Sequence, residues 1–355
     1  MVKNIQALRG VAVMLVLIAH LTKIEEKYFS GEPVLPAFLS IGISGVDIFF
    51  VISGFVMVHV TRNSGAGLPD AMEFFAHRVT RIYPLYWFYS LMVLVVFLIR
   101  PSWVNNAQGN QVDLLASFML LPLPQGQMPL LAVGWSLIHE MYFYVAFGLL
   151  LLVPRRFLGH MLVAWFGAVC AWRAFDVTSE SATIQLVFHP LTLEFIAGAL
   201  IGRAYLSQQG RFPKTAIVVG LAFWCLAYGV FSQTVGYGME AVEWRRVVVF
   251  GIPASLIVYG AVILERDGRH VLPKWMMRIG DWSYSIYLSH LLAISALGRL
   301  WAGLHGEVVW LNGAAIIAFF SAAILYGQVS YLWIERPLQM MTRLRLLPSP
   351  SKPRH

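Results

Sequence analysis

Ten stretches of this 355-residue chain stay apolar long enough to cross about 30 Å of hydrocarbon, and nothing else in the sequence limits the fold as much. They cover roughly 5–22, 40–60, 82–99, 132–153, 158–176, 184–203, 215–232, 247–264, 280–300 and 310–334. With 58% hydrophobic and 12% charged residues and a mean hydropathy of +0.68, the composition is far from that of a water-soluble enzyme. The expected fold is an all-α, polytopic integral membrane protein of about ten transmembrane helices. A shorter run, "DLLASFMLLPLP" (113–124), is too short and too Pro-rich to be another span and is expected at the interface.

An even number of spans puts both termini on one side, and the basic residues choose which. Segments on the terminal side carry 19 of the 26 Lys and Arg residues, among them Lys3, Arg9, Arg62, Arg78, Arg81, Arg155 and Arg156, which assigns the termini to the cytoplasm. The net charge of +8 is spread between apolar blocks, so it speaks for lipid and topology and against a nucleic-acid partner. Cys170 and Cys225 sit singly in apolar runs and read as packing residues. No small-residue cleavage site follows the first span, so the first helix is expected to be retained. Residues 1–340 are expected to form one transmembrane domain, and 341–355 a short basic cytoplasmic tail.

Within this frame a few polar residues stand out. The stretch "RGVAVMLVLIAH" has Arg9 and His20 at its ends. Eleven residues at about 100° each return to nearly the same helix face after a climb of about 16 Å. Arg9 then lies at the cytoplasmic end and His20 in the outer half, a depth that is costly for an ionisable group unless it meets a polar cavity or a partner. Position alone also allows a snorkelling anchor and an interfacial histidine. Asp47 in "GVDIFFVISGF" stands at the outer boundary of the second span, where a helix cap is the alternative. In "VGWSLIHEMYFYVAF", Ser136, Glu140 and Tyr144 share one face, and Glu140 lies about two turns inside. A carboxylate beside an imidazole fixes its tautomer and raises its basicity, as general-base activation of a hydroxyl requires, so Glu140 or Asp47 is expected to orient His20. Arg78 and Arg81 in "HRVTRIYPLYW" can face the same mouth as Arg9, and three guanidinium groups suit a polyanion such as a nucleotide phosphate. The alternative is topology alone.

These motifs, with "IQALRGVAVMLVLIAH" at the start and "WSYSIYLSHLL" and "WIERPL" at the end, run in the order found in the membrane-bound acyltransferase 3 family, which the chain resembles over nearly its whole length. That family includes bacterial polysaccharide O-acetyltransferases. The resemblance implies ten helices in a bacterial inner (cytoplasmic) membrane and an acyl-CoA donor, acetyl-CoA foremost, entering from the cytoplasm. It also implies transfer to a hydroxyl on the outer side. It carries the family's Arg and His onto Arg9 and His20, its paired arginines onto Arg78 and Arg81, and its acidic residue onto Glu140. Arg9, Arg78 and Arg81 are then expected to hold the CoA phosphates, and His20 to act as base with Glu140 or Asp47. Direct attack of the hydroxyl on the thioester is preferred to an acyl-enzyme. Some members carry a further extracytoplasmic hydrolase-like domain, and none is expected here.

Ser136, Glu194, Tyr287 and His290 are expected to line the substrate passage, with Glu194 and His290 near mid-membrane. Besides acyl-CoA, the expected partners are a glycan or lipid-linked sugar acceptor, membrane lipids and, as an open option, further copies of the chain. Neither metal nor haem is expected: the cysteines lack the paired spacing of a zinc or redox site, and His20 and His290, which a haem would want facing, read as lying at different depths. The rival class is a proton-coupled transporter or flippase, which would also bury His, Glu and Asp but usually shows an internal repeat.

Overall fold

The structure, a computed structural model, describes residues 2–105, 109, 111–175, 177–234, 243–270, 272–304 and 309–346. Among the described residues the regular structure is helical throughout. The α-helices are α1 (Lys3–Tyr28), α2 (Gly45–Val60), α3 (Leu68–Ile99), α4 (Leu114–Met119), α5 (Gly134–Leu150), α6 (Leu158–Ala174), α7 (Ala182–Val187), α8 (Thr192–Leu206), α9 (Pro213–Thr234), α10 (Glu243–Arg246), α11 (Ile252–Arg266), α12 (Lys274–Leu304), α13 (Asn312–Ser330) and α14 (Arg336–Leu346). Seven helical segments among the described residues are long and apolar enough to cross a membrane, which makes this a multi-pass membrane protein. The other three expected spans coincide with α5, α9 and α12. Of these, α5 has 17 residues, and α12 is a continuous helix of 31 residues whose apolar run contains Ser283, Ser285, Ser289 and His290. The run 113–124 forms only the short α4, whose Ala116 amide donates to the Asp113 carboxylate at 2.9 Å as an N-cap.

The helices fall into two compact groups. The first comprises residues 1–59 and 193–330, the second 60–192 and 331–355. The tail expected from 341 begins inside α14, and residues 347–355 lie outside the described residues.

In the first group α1 and α12 run parallel with backbones in close approach. Gly10 lies against the Met276 carbonyl and the Gly280 amide, Gly280 against the Gln6 carbonyl, and Gly298 against Ile24 and Tyr28. A Cβ at Gly10 or Gly280 would run into backbone, so only glycine permits this spacing, the device by which membrane helices pack without a hydrophobic driving force. The constant register puts His20 level with His290. Gly54, Gly198 and Gly202 seat α2 against α8 in the same way. Above and below lie apolar clusters: Leu17, Leu21, Ile24, Ile294 and Phe319 in one, Ile5, Leu8, Ile48, Val51 and Val258 in another. The first amides of α1 have no partner within their own helix. Glu265 of α11 takes them, accepting from the Lys3 and Asn4 amides at 2.6 Å each.

In the second group α3 is longer than the expected third span, with 32 residues from Leu68. Arg78 and Arg81 therefore project from a continuous helix rather than from the loop before it. Phe74, Phe143, Tyr144 and Phe147 form an aromatic core between α3 and α5.

Candidate functional site

Each group of helices carries its own polar constellation. In the first group it begins at His20, half-buried on α1, with Arg9 eleven residues earlier on the same face. His20 Nδ1 lies 2.8 Å from the Val16 carbonyl oxygen of the preceding turn and 3.4 Å from Nε2 of His290. The two rings meet edge to face with centroids 4.9 Å apart. His290 is sealed at 1% exposure, and its Nδ1 faces the carbonyl oxygens of Tyr287 (2.8 Å) and Ile286 (3.2 Å). The sequence reading put His20 in the outer half and His290 near the centre. The α1–α12 register corrects this, because both imidazoles stand at one level.

From His290 the constellation continues through Tyr287, whose ring packs at 5.9 Å against His290 and 6.0 Å against Phe49. Tyr287 is in turn within electrostatic reach of Arg246. Arg246 grips Asp47 with two parallel hydrogen bonds, Nε to Oδ1 at 3.0 Å and Nη2 to Oδ2 at 2.9 Å. Asp47, at 0% exposure, is thus engaged by a guanidinium. Glu194, at 1% exposure, stands beside this pair, and its two oxygens accept no hydrogen bond among the described residues. One guanidinium therefore serves two carboxyl groups. A π-helical turn, Val247–Gly251, follows Arg246 directly, and a Cβ at Gly251 would fall 2.7 Å from Glu194 Oε1, so that glycine makes the space the carboxyl occupies. Sequence reasoning missed Arg246, leaving it among the outer cations. The signal was present, since Asp47 and Arg246 stand at the outer entrances of their own spans with opposite charge.

In the second group Glu140 accepts a hydrogen bond from the Tyr144 hydroxyl one turn along α5. The Arg78 guanidinium lies 5.8 Å over the Tyr144 ring and 5.6 Å over Phe74, within electrostatic reach of Glu140. Ser136, one turn before Glu140, donates back to the Val133 carbonyl at 3.1 Å. His139 packs at 4.3 Å against His189. Arg78 and the exposed Arg81 open onto a small cleft of about 60 Å³ that His77, Thr80 and Gln339 also line. Gln339, from α14, was not anticipated. It donates to Glu335 Oε1 at 3.0 Å. Among the described residues no three His, Cys, Asp or Glu side chains are grouped as a metal site would need. The chemistry on offer is thus anion binding at a guanidinium-lined cleft and proton transfer at an imidazole pair.

Comparison with known proteins gives these features a context. Residues 2–329 match the acyltransferase 3 family, described as an acyltransferase domain. The chain is 33% identical to the exopolysaccharide production protein ExoZ of Rhizobium meliloti over 312 residues, covering 86% of this chain and 92% of that protein. It is 26% identical to the acyltransferase MdmB of Streptomyces mycarofaciens, covering 96% of this chain and 93% of that one. No solved structure matches the chain.

Proposed function

The chain belongs to the acyltransferase 3 family and is an O-acyltransferase, and from that premise we propose that it moves an acetyl or other acyl group from cytoplasmic acyl-CoA to a hydroxyl of a glycan or related exported acceptor. The likeness to an exopolysaccharide production protein supports the acceptor class; ten spans with cytoplasmic termini in a bacterial inner membrane are part of the same proposal and set its direction of transfer. Arg78 and Arg81 bind the phosphates of CoA, as forked guanidinium donors suit them, with Arg9 as a third anchor. His20 accepts the proton of the attacking hydroxyl. As the new O–C bond forms and the C–S bond of the thioester breaks, the proton passes from the imidazolium to the departing thiolate. Glu140 holds Arg78 and Tyr144 in place, and Asp47 does the same for Arg246. Ser136, Glu194 and Tyr287 belong to the walls of the passage.

The observation that carries this reading is the cleft where Arg78 and Arg81 stand together with His77, Thr80 and Gln339. The test is incubation of the purified protein in lipid nanodiscs with labelled acetyl-CoA and candidate bacterial glycans, with the ester located by mass spectrometry. His20→Ala should lower transfer by at least about 10²-fold, the usual contribution of a general base, while the protein stays folded. A folded His20→Ala variant with normal transfer removes the base from this mechanism.

A further inference from the structure

A neutral imidazole has one N–H and one lone pair, and which nitrogen holds which is set by the neighbours. His20 and His290 both face backbone carbonyl oxygens through Nδ1. His290 Nδ1 meets Tyr287 and Ile286, and His20 Nδ1 meets Val16. A carbonyl oxygen only accepts, so each Nδ1 must carry the hydrogen. His290 Nε2 is then a lone pair, and it lies 3.4 Å from His20 Nδ1, the one nitrogen of that ring with a hydrogen to give. The opposite assignment at His20 would turn a third lone pair toward those of Val16 and His290. Only one arrangement satisfies every contact.

We infer that His290 is a positioning residue for acyl transfer: it locks His20 as the Nδ1–H tautomer, so that Nε2 of His20 is the atom that receives the proton of the acceptor hydroxyl. The inference rests on His20 being the base and adds the identity of its basic atom and of its orienting partner. Among the described residues no hydrogen bond occupies His20 Nε2, and His20 is half-buried whereas His290 is sealed at 1% exposure with the Tyr287 ring against it. When Nε2 of His20 is protonated, the ring becomes an imidazolium and its Nδ1–H bond to His290 becomes charge-assisted. That contact is stronger during the reaction than before it, the condition for accelerating the chemical step rather than tightening binding. His290 does here what a carboxylate does beside the imidazole of a hydrolytic triad, but as a neutral acceptor.

Two measurements on the full chain in nanodiscs test this. In the nitrogen NMR spectrum of ¹⁵N-histidine-labelled protein, with His20 assigned by its loss in His20→Gln, the expected pattern is a protonated Nδ1 and a bare Nε2. The reverse pattern overturns the inference and needs no His290 variant to fold. In transfer assays with acetyl-CoA and exopolysaccharide from the host strain, His290→Phe should lower kcat by about 10- to 100-fold, the usual loss for an orienting partner, with KM within about twofold. His290→Gln, which can place an amide oxygen near the Nε2 position, should recover all but about threefold of that. Unchanged kcat in a folded His290→Phe, or equal losses in both variants, overturns the role of His290. If His20→Ala is inactive in that case, the base reading survives alone. If His20→Ala is active, the base reading falls first.

Discussion

The two groups of helices handle their cations in opposite ways. In the first, the Arg246 guanidinium is consumed by the protein itself, fixed on a fully buried Asp47 with Glu194 against it. In the second, Arg78 and Arg81 face a cleft, and Arg81 remains exposed. A guanidinium with both forks occupied organises structure, and one with forks to spare is available for a ligand. The same residue type therefore implies different consequences on removal, stability in one group and donor affinity in the other.

The sharpest way to break this contrast is at Asp47. Asp47→Ala leaves Arg246 as a charge without its bidentate partner in the first group, where losing one member of a buried pair costs about 3–5 kcal/mol. The expected outcome is a large loss of unfolding free energy in mixed micelles. Asp47→Asn, which keeps an acceptor, should lose clearly less. An Asp47→Ala variant as stable as the parent would mean that Arg246 is not held as described.

Removing Arg81 should do the reverse. A hydrogen bond to a charged group contributes about 1.5–3 kcal/mol, so Arg81→Ala should weaken acetyl-CoA binding by about 10- to 100-fold in equilibrium titrations, with little change in stability. Raising the ionic strength should weaken binding of acetyl-CoA to the parent protein in the same assay, because exposed charges are screened and buried ones much less. Affinity unchanged from the parent in both Arg81→Ala and Arg78→Ala would leave those residues with only a topological role.

How much of this the sequence disclosed follows from the range of the interactions. Helices were legible because an apolar run of sufficient length must satisfy its own backbone in lipid, a local condition. The pair Arg78 and Arg81 was legible for the same reason, three residues apart on one helix. The His20–His290 contact was not, although both residues were singled out, because it depends on the register of α1 against α12, set by Gly10 and Gly280 across about 270 residues. Depth counted from the ends of apolar runs could not supply that register. Arg246 was missed differently: its charge and its place at the outer entrance of a span, like those of Asp47, made the pair a candidate, but the same position also suits a cation lying in the interface, and only the packing of the helices decides between them.

That register is itself breakable. Gly280→Ala sets a Cβ against the Gln6 carbonyl, and overpacking of this kind costs about 1–3 kcal/mol. Because the backbones must part, the His20–His290 contact should lengthen along with the loss of stability, and kcat should fall in the variant even though no polar group has been touched. Full activity with a measurably destabilised α1–α12 contact would separate packing from catalysis and show that the imidazole pair does not depend on that glycine.

The smallest effect tests the edge of the cleft. Gln339 reaches it from α14 and is held by Glu335, so its amide is fixed beside the arginines without adding charge. A neutral hydrogen bond is worth about 0.5–1.5 kcal/mol, so Gln339→Ala should raise the KM for acetyl-CoA by about twofold to tenfold and leave kcat and stability nearly unchanged. Gln339→Glu is the more telling variant, since it places a carboxylate where phosphate is proposed to bind. It should weaken acetyl-CoA binding more than alanine does, and increasingly so at low ionic strength. If both variants bind acetyl-CoA like the parent protein, α14 lies outside the donor site and the cleft ends at the arginines of α3.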